Sequence, residues 1–111
     1  MKTYITGTGL YIPPYSISNE ELVESFNQYV DNYNSQYASE IEAGTREALE
    51  PSSAEFIEKV SGIKSRYVME KSGILDPNIM TPLIPARKLG EELSVMAEMG
   101  VDALQQALDE A

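Results

Sequence analysis

The chain has 111 residues, enough for one modest hydrophobic core, and a composition of 42% hydrophobic and 23% charged residues that excludes disorder along its whole length. Eighteen acidic residues against eight basic ones give a formal net charge of -10, which repels phosphate backbones and anionic lipid headgroups and argues against nucleic-acid and membrane partners. Cysteine and histidine are both absent, which removes disulfides, thiol nucleophiles, the common zinc ligand sets and the usual general base near neutral pH.

The N-terminus, Met1-Lys2-Thr3-Tyr4, carries no secretory apolar region, and no run is long enough to span a bilayer. The expected location is the cytoplasm. Residues 4–9 are β-branched and aromatic, bounded by glycine, and are predicted to form a strand. Pro13 and Pro14 then stop any regular element. Ser18 and Glu21 have capping-box spacing, with Ile17 and Leu22 placed as a hydrophobic staple. Leu22, Phe26, Tyr29, Val30, Tyr33, Tyr37 and Ile41 follow at helical spacing. Asn27, Asn32, Asn34 and Ser35 weaken that helix, and residues 34–51, poor in large apolar groups, read as a mobile excursion.

Ser52 and Glu55 make a second capping box. Phe56, Ile57 and Val60 supply the apolar face of a short helix, and Gly62 is placed as its left-handed C-terminal cap. Residues 63–69 alternate and are predicted as a second strand. Residues 72–85 read as a loop, unusually apolar for one. Leu89, Leu93, Met96, Ala97, Gly100, Val101, Leu104 and Leu108 predict a long closing helix. Its small residues Ala97 and Gly100 would admit a neighbouring backbone. Two short strands do not make a stable sheet. The chain is therefore either one piece of a larger sheet-and-helix domain or a small self-contained α+β domain.

Gly7-Thr8-Gly9 directly after an apolar run raises the question of a phosphate-binding loop. A dinucleotide loop needs a third glycine and an immediate helix, because the helix N-terminus supplies the amides. Ile12 stands at the third glycine's place, Pro13-Pro14 forbid the helix, and no Gly-Lys-Ser or Gly-Lys-Thr follows. The two glycines are expected to serve close backbone approach instead.

Taken together, the segment GTGLYIPPYSISNEEL, the segment FIEKVSGIKSRYV and the closing stretch GEELSVMAEMGVDALQQAL resemble the opening of β-ketoacyl-acyl-carrier-protein synthase III-like condensing enzymes, members of the thiolase superfamily. Gly7, Thr8, Gly9, Tyr11 and Pro13 fit that family's strand exit. Asn19, Glu20 and Leu22 fit its helix start, and Phe56, Ile57, Ser61, Gly62, Ile63 and Arg66 fit its W-I-x-x-R-T-G-I-x-x-R block. The resemblance implies an α/β fold class: the N-terminal part of a thiolase-like fold, with two short strands and about three helices spread over 1–111. Residues 31–54 and 70–88 are longer than in typical members and read as insertions.

The resemblance further implies decarboxylative Claisen condensation of an acyl thioester with a malonyl thioester, in fatty-acid or related acyl-chain synthesis, by a homodimer. Coenzyme A or acyl carrier protein would carry the thioesters, with no metal and no further cofactor. The family's catalytic cysteine, histidine and asparagine lie farther along than this sequence reaches. The chain is therefore expected to be an N-terminal fragment, inactive alone, with the remainder of the same polypeptide as its partner and no catalytic residue of its own. The family places tryptophan where Phe56 stands and arginine where Val60 stands, the pair that holds the adenine of coenzyme A. Phe56 is the one substrate-binding candidate, since a phenyl ring still stacks on adenine.

The remaining constellations have bland readings. Adjacent carboxylates at Glu20-Glu21, Glu91-Glu92 and Asp109-Glu110 sit on helix surfaces rather than in two contrasting environments, as acid/base work requires. Tyr29, Tyr33 and Tyr37 could line an acyl entrance or a partner surface, and the amphipathic stripe is the favoured use. Lys64 and Arg66 could meet an acidic carrier or a pyrophosphate, with an internal salt bridge favoured. The alternative to an enzyme segment is a standalone acidic α+β adaptor or carrier-like module. It lacks the Asp-Ser-Leu attachment site that an acyl carrier protein needs.

Overall fold

The computed structural model describes residues 1–111, which divide into two units: Pro13–Ile84, and Met1–Ile12 together with Pro85–Ala111.

The first unit opens with β1 (Tyr15–Ser18), which pairs antiparallel with β2 (Ser65–Val68) in the register Tyr15↔Val68, Ile17↔Arg66. Ile17, at 0% exposure, anchors the inner face of this ribbon. Helix α1 (Asn19–Gln36) starts as its sequence dictates: the Ser18 hydroxyl accepts from the Glu21 amide at 3.1 Å, and the Glu21 carboxylate accepts from the Ser18 amide at 2.9 Å. Asn19 ties this start to the far side of the ribbon. Its backbone N–H donates to the Lys64 carbonyl at 3.0 Å and its side-chain amide to the Ile63 carbonyl at 2.6 Å.

The aromatic stripe, whose far end the weak helix formers leave open in the sequence, is broken at Tyr37, and a short helix α2 (Ala38–Glu42) follows. Residues 44–53 are not a loose excursion. Asn34 exchanges both amide hydrogen bonds with the Leu49 backbone at 2.9 Å, and Asn27 does the same with Ser52 at 3.0 and 2.8 Å. Seven residues separate the two asparagines, so they share one face of α1, and a side-chain amide reproduces a strand-like pairing with the passing backbone.

Helix α3 (Ala54–Ser61) is capped by Ser53, whose hydroxyl accepts from the Phe56 amide at 3.1 Å. This corrects the expected Ser52–Glu55 box by one residue: the Ser52 backbone is already committed to Asn27. Gly62 caps the C-terminus at φ 72°, as expected. The segment expected as a plain loop after β2 contains a short helix, α4 (Ser72–Leu75). Only two apolar side chains of the whole chain, Ile17 and Val30, are buried, and both belong to this unit.

The second unit consists of an extended N-terminal segment and α5 (Val95–Glu110), whose cap is Ser94, accepting from the Ala97 amide at 3.1 Å. Residues 4–9 form no strand, contrary to expectation. A strand is defined by a ladder, and this segment meets a helix rather than another strand. Its amides are satisfied from α5: Thr8 donates to the Glu110 carboxylate at 3.0 Å and Leu10 to the Gln106 side chain at 3.2 Å. Gly7 and Gly9 permit this approach, because a Cβ on either would run into the Ala107 or Ala103 carbonyl. The small helical residues that receive the segment are therefore Ala103 and Ala107. Gly100, expected in that role, has open space around it. Leu89 and Leu93 lie before α5, so the closing helix is shorter than its periodicity suggested.

Candidate functional site

Phe56 is 57% exposed on the first turn of α3, beside an open hollow of about 470 Å³ that it lines with Pro51, Ser52 and Ser53. Val60, one helical turn on, is 64% exposed and shares that face. The pair offers an aromatic plane and an aliphatic neighbour, and no cation from Val60's position. Arg66 is engaged elsewhere, its guanidinium donating to the Asn19 side-chain oxygen at 2.6 Å. Lys64 pairs with Glu58 at 3.6 Å on the exposed surface, so the salt-bridge reading holds for Lys64 and not for Arg66, whose partner is a neutral amide.

On the other side of α3 a shallow cleft of about 280 Å³ is lined by Leu22, Val23, Phe26, Ser52, Ile57 and Met80. It is almost wholly apolar, and Met80 reaches it from a left-handed backbone, φ 53°. The tyrosine row lies farther along α1. Tyr29, Tyr33 and Tyr37 meet in sequence as tilted ring pairs, with centroids 6.2 and 4.8 Å apart. Arg46 closes the row: its guanidinium lies 3.8 Å from the Tyr37 ring centroid, donates to the Tyr33 hydroxyl at 3.0 Å and pairs with Glu40 at 2.7 Å. The Tyr33 hydrogen bond and then Glu40 raise the Arg46 pKa still further. The stripe is thus used internally, as the amphipathic reading held.

The carboxylates are structural too. Lys71 pairs with Glu21 at 2.7 Å and, with the Ser18 amide, holds its pKa below the ordinary value. Glu92 accepts from the Lys88 amide, Glu110 from Thr8, and Asp109 from Gln105. Glu70, which sequence reasoning passed over, is the most perturbed of them. It accepts from the Leu83 amide at 2.7 Å, from the Ser72 hydroxyl, and from the amides of Gly73 and Ser72. The Leu83 bond foremost, then the Ser72 hydroxyl, lowers its pKa to about 2. The signal was present in Glu70-Lys71-Ser72: an acceptor just ahead of a helix start. Its reach to Leu83, thirteen residues on, had none. No group of three or more acidic side chains comes together as metal ligands would, and no helix is long and apolar enough to cross a membrane.

No protein-family model matches the chain. The resemblance to β-ketoacyl-acyl-carrier-protein synthase III-like condensing enzymes is nevertheless borne out by a relative. The chain is 53% identical over 89 residues, 80% of its length, to a beta-ketodecanoyl-acyl-carrier-protein synthase of Pseudomonas aeruginosa. It spans 25% of that relative's length.

Proposed function

We propose that this chain is the N-terminal part of a β-ketoacyl-acyl-carrier-protein synthase III-like enzyme with a thiolase-like fold. The full protein joins an acyl thioester to a malonyl thioester. A cysteine outside this segment takes the acyl group and releases the carrier thiol. The malonyl group then loses carbon dioxide, and the resulting enolate carbon attacks the acyl-cysteine, giving a β-ketoacyl thioester and the free cysteine. Histidine and asparagine, also outside this segment, stabilise the developing charge. The enzyme acts as a cytoplasmic homodimer on coenzyme A or acyl-carrier thioesters, without metal. Residues 31–54 and 70–88 are additions to the common framework.

The identity to the Pseudomonas aeruginosa synthase carries this reading. The apolar side chains left exposed support it against the acidic adaptor, because a self-contained module covers such groups. The test is an assay of the full protein containing this segment with acyl and malonyl thioesters, following carbon dioxide release and the β-ketoacyl product by mass spectrometry. The product is expected with the full protein and not with residues 1–111 alone. No product from the full protein would overturn the proposal. Phe56 is the stacking surface for the adenine of coenzyme A. Phe56→Ala is expected to raise KM for an acyl-coenzyme A several-fold while leaving an acyl-carrier substrate unchanged.

A further inference from the structure

We draw no further inference here: the strongest candidate, the exposed apolar row of Met96, Val101, Leu104 and Leu108 along α5, is an unpartnered helix face and nothing in the structure shows what covers it.

Discussion

Asn27, Asn32 and Asn34 look alike in the sequence, each a weak helix former within α1, and the structure separates them. Asn27 and Asn34 each hold a backbone N–H and a backbone C=O of the passing chain, whereas Asn32 makes no such bond. Replacing either of the first two with alanine leaves a donor and an acceptor unpaired in a half-buried setting. Asn27→Ala and Asn34→Ala are expected to cost about 1–3 kcal/mol each. Asn32→Ala, relieved of a poor helix former, is expected to gain a few tenths of a kcal/mol. Urea midpoints at constant slope distinguish the two outcomes. Glu70 makes a pH prediction. Its pKa is lowered from the ordinary 4.5 to about 2, so its contribution is complete above the ordinary value and is lost as pH falls toward 2. Glu70→Gln is expected to be less stable than the parent at neutral pH, with the difference shrinking between pH 4.5 and 2. A difference equal at pH 7 and pH 2 would refute the carboxylate's role. Single sequence positions carried neither feature plainly, because each depends on where a distant backbone passes.

At the level of elements, local signals are legible in the sequence and long-range pairings are not. The Ser18–Glu21 box and the Gly62 cap involve neighbours within four residues, and both stand as the sequence implied. The N-cap of α3 was missed by one position, since Ser52 and Ser53 are equivalent until Asn27 claims the Ser52 backbone. Ser53→Ala is expected to cost about 1 kcal/mol and Ser52→Ala to stay within about 0.5 kcal/mol of the parent, by thermal denaturation. Residues 4–9 have strand composition, yet composition cannot say whether a ladder partner is at hand. Gly9→Ala is expected to lift the N-terminal segment from α5, seen as faster hydrogen exchange at Thr8 and Leu10. Gly100→Ala, with nothing near it, is expected to stabilise α5 by up to about 1 kcal/mol. Equal exchange rates in the two variants would contradict the close-approach account. Phe56, Ile57 and Val60 were expected as one apolar helix face, whereas Phe56 and Val60 are exposed at 57% and 64%. The hollow that Phe56 lines with Pro51, Ser52 and Ser53 was not legible, because it depends on where the chain before α3 passes.

At the level of the whole molecule, each of the two units leaves large apolar side chains exposed. They include Ile5, Leu10, Ile12, Val101, Leu104 and Leu108 in one unit and Phe56, Val60 and Ile63 in the other. Residues 1–111 alone are therefore expected to self-associate and to bind a hydrophobic dye. A monodisperse 12.3 kDa particle that leaves the dye dark would count against a missing covering surface. The seat of Gly7 and Gly9 has a further bearing, on the order of synthesis. The bonds that hold this segment join residues 102 and 96 positions apart. At ribosomal speed the first dozen residues wait about 5–20 s for the helix that receives them. Through that interval the amides of Thr8 and Leu10 lack the acceptors that α5 later supplies.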